Sequence, residues 1–256
     1  MDISEAHVLG LFLRTFLYGV YFTVFLHCLR WLFFVDEGWK LRPTVNRTML
    51  TITLLVFAFT TVNIWIWHQL ALSAIRGQAI PDYRLLLASN GLERATTLMI
   101  DAMLVYRCWI VYYTSWRAIF FPLILLLSNV AIFIISFAYA TTTGDLNMRL
   151  AEAFYSCNIA INLYATSAII YQILRVTKRS SRSSDFYEIC RILAECGLPY
   201  MCTSVFALTV TIIATETYLF PTACALVRAY SSSTVNGIAF NCILIRVGRY
   251  RADRDT

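Results

Sequence analysis

Seven apolar stretches, each long enough to cross a bilayer as a helix, constrain this chain more than any other feature of its sequence. They run approximately from 8 to 34, 48 to 72, 85 to 113, 117 to 140, 150 to 176, 187 to 215 and 219 to 247. About 20 mostly apolar residues in a helix cover the roughly 30 Å of hydrocarbon in a membrane. A helix also satisfies its own backbone hydrogen bonds, which lipid cannot do. A barrel would need short segments of alternating polarity, whereas these runs are long and continuously apolar. The expected fold class is therefore all-α: a polytopic membrane protein, a seven-transmembrane-helix bundle forming a single transmembrane domain over 1–256, with a cytosolic tail from 248 to 256.

Composition points the same way. Hydrophobic residues make up 59% of the 256 and charged residues 14%, more apolar surface than a soluble domain of this length can hide. The net charge of +6 does not imply nucleic acid, because the basic residues sit in short clusters between apolar runs and not along one groove. The partner they imply is the lipid bilayer. The first apolar run follows no basic segment and is too long for a signal sequence, so it is expected to be retained as the first span. All eight cysteines fall inside or at the edges of apolar runs, which argues against a disulfide framework.

Orientation follows from the distribution of lysine and arginine. With the amino terminus outside, fifteen of the 21 basic residues fall on inner segments and only Arg76, Arg84 and Arg149 fall outside. This is a strong positive-inside bias. It places the amino terminus on the extracellular or lumenal side and the carboxyl terminus in the cytosol, with the plasma membrane the expected location. The sequence's one glycosylation acceptor pattern, Asn46-Arg47-Thr48, then lies in the cytosol. Asn46 is expected to stay unmodified in a eukaryotic host, and a glycan-dependent mobility shift on a gel would reverse the orientation.

Charged side chains inside a membrane are costly and mark candidate sites. Arg14, Glu93, Arg94, Asp101, Glu195 and Arg228 fall within the predicted spans. In the third span Asn90, Arg94, Thr97 and Asp101 follow at intervals of four, three and four residues, which puts them on one helix face about 16 Å long. In the fifth, Asn158, Asn162 and Thr166 form a similar stripe. Asn90, Arg94, Asp101, Asn158, Asn162 and Arg228 are accordingly the candidate ligand-binding set, lining an outer polar cavity in which the arginines would anchor an anionic group. The competing reading pairs those arginines with nearby carboxylates as links between helices. Pro199 removes a backbone donor from the sixth span, so a kink is expected there.

Catalytic and cofactor chemistry finds little support. The only lysines, Lys40 and Lys178, lie in loops, so no Schiff base to retinal can form within a span. The three histidines, His7, His27 and His68, do not meet at one depth, as a zinc site would require. No nucleophile elbow of the G-x-S-x-G type occurs. The expectation is a protein without cofactor or metal and not an enzyme. The basic, serine-rich loop at 178 to 185 is a candidate surface for a cytosolic protein partner.

Four blocks in order, DAMLVYRCWIVYYTSWRAIFFP at 101 to 122, NLYATSAIIYQILR at 162 to 175, ECGLPY at 195 to 200 and GIAFNCILIRVGR at 237 to 249, resemble a family of fungal, chiefly basidiomycete, seven-helix membrane proteins of unassigned function. The resemblance implies seven helices and a fungal membrane; it supplies no ligand. Glu195-Cys196-Gly197 stands where the family has a Glu-Ser-Gly-like triplet. Phe240 and Asn241 stand where it often has Pro-Thr. Members are likened in topology to G-protein-coupled receptors, although Tyr106-Arg107-Cys108 lacks an acidic residue before the arginine and no NPxxY occurs. A receptor-like or sensor-like protein with a small-molecule ligand is the leading expectation. A transporter or channel using Asp101 and Glu195, or a membrane scaffold, are the alternatives.

Overall fold

A computed structural model describes residues 3–34, 47–75, 83–112, 116–139, 144–177, 201–202, 204–206, 208–209, 212 and 233–255. Among these the chain is all-α. The helices are α1 (Ile3–Phe33), α2 (Arg47–Ile75), α3 (Tyr83–Val111), α4 (Trp116–Ala138), α5 (Gly144–Thr177) and α6 (Ser233–Asp255). Most of the predicted sixth span, the start of the seventh, the loop at 178 to 185, Glu195, Pro199 and Arg228 lie outside the described residues.

The ends of α1 to α4 lie within five residues of the apolar runs, whereas α5 begins six residues before its run and α6 ends eight residues after its own; these departures share a cause. Hydropathy marks where lipid ends, but a helix can continue into water. At 34 residues, α5 is about 50 Å long at 1.5 Å per residue and outruns the hydrocarbon. Helix α6 likewise continues through the stretch expected as a tail.

Four helices are long and apolar enough to cross a membrane by themselves: Gly10–Phe33, Arg47–Ser73, Ile119–Ala138 and Arg149–Gln172. These establish a multi-pass membrane character. The expected third span is not among them, since α3 carries Arg84, Glu93, Arg94, Asp101 and Arg107. Its position explains its polarity. Helix α3 packs against α2, α4, α5 and α6, and only Arg84, Ala88, Ala102 and Ile110 among its described side chains are exposed. A helix enclosed by others does not need an apolar perimeter. In contrast, α4 turns Phe120, Phe121, Ile124, Leu127, Ile134 and Phe137 outward, as lipid contact requires.

Contacts between helices fix their relative directions. Against α1, α2 is antiparallel: Arg14 packs on Trp67, Tyr18 bonds Thr61 at 2.9 Å, and Phe25 stacks on Phe57 with centroids 4.0 Å apart. Against α3, α4 is antiparallel, with Gly91 beside Phe137 and Val105 clustered with Ile119. Helices α3 and α5 are parallel, because Asp101 meets Asn158 while Tyr112 donates to the carbonyl of Ala168. Helix α6 runs with α1: Gly237 faces Tyr21, and about two turns further along α1 Cys28 clusters with Phe240 and Leu244.

Hydroxyl side chains in these helices are largely satisfied by their own turn. Thr53, Thr60, Thr61, Thr96, Thr97 and Ser128 each donate to the carbonyl four residues earlier. This local bond lets serine and threonine sit in an apolar medium without a tertiary partner.

Candidate functional site

Asp101 is the centre of the buried polar chemistry. It has no solvent exposure, and Asn158 is only 1% exposed. Because a carboxylate can only accept, Asn158 must turn its amide nitrogen toward it; Nδ2 of Asn158 donates to Oδ2 of Asp101 at 2.8 Å. That choice leaves the Asn158 carbonyl to accept, and the Ser204 hydroxyl donates to it at 3.0 Å. The result is a directed chain, Ser204 to Asn158 to Asp101, tying the middle of α3 to α5 and to the segment around residue 204.

The stripes read from helical spacing are present, but their members do different things. Asn90 is half-buried. Arg94 is half-buried one turn further on, with its guanidinium 5.5 Å from the ring of Phe154 on α5. Thr97 donates to the carbonyl of Glu93 and is thereby occupied within its own helix. Asn162, 1% exposed, accepts from the Thr166 hydroxyl at 3.2 Å and buries its Nδ2 without a hydrogen-bond partner. The structure thus brings Asp101 and Asn158 together directly and places Arg94 over the same pair of helices nearer the start of α3. Asp101 and Asn158 are closed off from solvent; Asn90 and Arg94 are the partly accessible members.

Arg14 lies apart from this group. It is 4% exposed and stacks over the Trp67 ring at 4.0 Å, a cation–π contact that keeps a guanidinium inside the α1–α2 pair. Glu93 is half-buried on α3. Arg228, Glu195 and Pro199 lie outside the described residues.

Other buried polar residues escaped the sequence reading. Asn129 in α4 has no exposure, and Ser136, seven residues on, is 7% exposed. With Pro122 they fall at steps of seven along the inward seam of a helix otherwise turned to lipid. Asn63 of α2 accepts from Ser89 of α3 at 3.2 Å. Tyr21 of α1 and Asn241 of α6 are both fully buried. The Tyr21 hydroxyl and both side-chain amide atoms of Asn241 are buried without a hydrogen-bond partner. The available signal was a lone amide inside an apolar run, as in LLLSNVAIF and GIAFNCILI, which a search for charged groups and for polar stripes at helical spacing passes over.

Among the described residues, no three His, Cys, Asp or Glu side chains come together as a metal site would need. Compared with known proteins, the chain matches no family model, no curated protein and no solved structure.

Proposed function

We propose that this chain is a receptor-like or sensor-like seven-helix protein of a fungal membrane, with its amino terminus outside. In this reading a small anionic ligand contacts the partly accessible Asn90 and Arg94, and the buried Asp101–Asn158–Ser204 chain below them ties α3, α5 and the segment around residue 204. That chain is the observation that carries the reading. A ligand drawing α3 and α5 together at Arg94 and Phe154 would act on the same two helices that Asp101 and Asn158 join. Three linked polar side chains from different elements have a small set of discrete hydrogen-bonding arrangements, as a switching element requires.

Seven crossings are supported by helix direction. Helix α6 runs parallel to α1 as α5 runs parallel to α3, directions that one further crossing by the apolar run at 187 to 215 would reconcile. The basic segments that follow the odd-numbered spans would then face the cytosol together, where a protein partner could read them.

The test is a thermal-shift screen of the purified protein against small carboxylates, phosphates and sulfonates. A ligand at a hundred times its dissociation constant stabilises by about 2.7 kcal/mol. At least one compound is expected to raise the melting temperature of the wild type, and Arg94→Ala is expected to lose that shift. A shift that survives Arg94→Ala removes the arginine from the site. Proton flux in liposomes that disappears in Asp101→Asn would favour the transport alternative instead.

A further inference from the structure

A shallow groove of about 490 Å³ runs along the last three turns of α1, lined by Thr23, Leu26, His27, Arg30, Phe33 and their neighbours. Its floor is mostly apolar, and its cation and imidazole come from the half of the helix nearest its carboxyl end. We propose that this groove seats one anionic phospholipid, its phosphate held by Arg30 and His27 and its acyl chain lying along Leu26 and Phe33.

The chemistry of His27 favours an acceptor-bearing ligand. The indole nitrogen of Trp31 donates to Nε2 of His27 at 3.1 Å, and an indole N–H can only donate. Nε2 is therefore the acceptor, which places the ring proton on Nδ1 as a donor. The edge-on packing of the two rings, at 80°, holds that donor in place. Arg30 adds a guanidinium with five donors, enough to serve a phosphate beside its other contacts.

Position supplies the rest of the argument. Gly10–Phe33 is a membrane-competent stretch, so Arg30 and Phe33 stand at its end, where the hydrocarbon gives way to headgroups. Phe25 stacking on Phe57 sets α1 antiparallel to α2, which brings the exposed Arg47 at the start of α2 to the same end of the bundle, outside the groove lining. A guanidinium at that depth matches an anionic headgroup, with the chain below it matching the apolar floor. Leu26 is 49% exposed, so the floor is open to an acyl chain. Assigning the lipid to the inner leaflet rests on the orientation proposed above.

The protein is reconstituted in phosphatidylcholine vesicles containing one-fifth phosphatidylserine, the same in both leaflets, and association is read with spin-labelled phosphatidylserine or phosphatidylcholine by electron paramagnetic resonance. One basic contact near the surface contributes about 1 kcal/mol, roughly a fivefold preference. The wild type is expected to prefer the labelled phosphatidylserine about fivefold, and Arg30→Gln and His27→Ala are each expected to lower that preference. No preference in the wild type, or one that both variants retain, overturns the proposal. So does an equal loss in Arg246→Gln, an exposed arginine on α6, because that would indicate a diffuse basic surface and not a site. With symmetric leaflets the result does not depend on orientation, which is tested separately by labelling a tag on the carboxyl terminus in sealed vesicles.

Discussion

Gly237→Leu is expected to lower the melting temperature of the protein, read as the fraction remaining monodisperse after heating in detergent. A Cβ at Gly237 would lie 2.7 Å from Cε2 of Tyr21 and 3.2 Å from Cδ2 and Cζ. The obstacle is the edge of an aromatic ring and not the tip of a flexible chain. Tyr21 has no exposure and is bounded by Tyr18, Phe25 and Phe57, with ring centroids 6.1–6.4 Å away, so it cannot swing aside without moving them. Overpacking of this kind costs about 1–3 kcal/mol for small insertions. Alanine at 237 brings the same Cβ clash but recovers about 1 kcal/mol of helix propensity and adds no further atoms, so Gly237→Ala should still destabilise, by less than Gly237→Leu. The mechanism also predicts a compensation. Tyr21→Ala should relieve Gly237→Leu, giving a coupling of at least about 1 kcal/mol in a double-mutant cycle. A Gly237→Leu protein that melts with the wild type would show that α1 and α6 do not approach there.

This contact illustrates what the sequence can and cannot convey about the bundle. Lipid is a uniform solvent for side chains, so the length of a span is written directly into its composition; the extents of α1 to α4 follow from that, whereas α5 continues beyond its apolar run. Which helix stands in the middle is not written so plainly. Helix α3 holds five charged residues, and on hydropathy alone it is the weakest of the first five spans; enclosure by four neighbours is what makes those charges tolerable. The reverse inference, from polarity to centrality, is available in principle, and it led to Asp101 and Asn158 through their spacing.

Partners are harder to read than positions. Helical periodicity places Asn158 and Asp101 on faces but carries no information on which faces meet. Ser204, the third member of the chain, is one hydroxyl among many, and most hydroxyls here are satisfied within their own turn. Arg14 and Arg94 are both intramembrane arginines, and spacing assigns only Arg94 to the candidate ligand set. Their surroundings come from tertiary packing alone, which sets Arg14 deep against Trp67 and Arg94 half-buried over Phe154. Gly237 gives no local signal at all, since its requirement comes from a ring on a helix some two hundred residues earlier.

The network itself yields the second large effect. Asn158→Leu removes the donor to Asp101 and the acceptor for Ser204 in one step, leaving a buried carboxylate and a buried hydroxyl each short of a bond. An orphaned buried polar group costs about 1–3 kcal/mol, and more where it bears charge. Interhelical hydrogen bonds in membranes are often worth less, about 0.6 kcal/mol on average, because the unfolded state also finds partners. Asp101 and Ser204 both make other interactions as well, so the low end of the orphaning range applies to each. The comparison that separates orphaning from lost packing is the double variant. Replacing both members of a hydrogen-bonded pair by apolar side chains is close to neutral, whereas removing one is not. Asp101→Leu with Asn158→Leu should therefore be more stable to heating than Asn158→Leu alone. If the two substitutions instead add, the carboxylate and the amide contribute independently, and the network cannot be the element that joins α3 to α5.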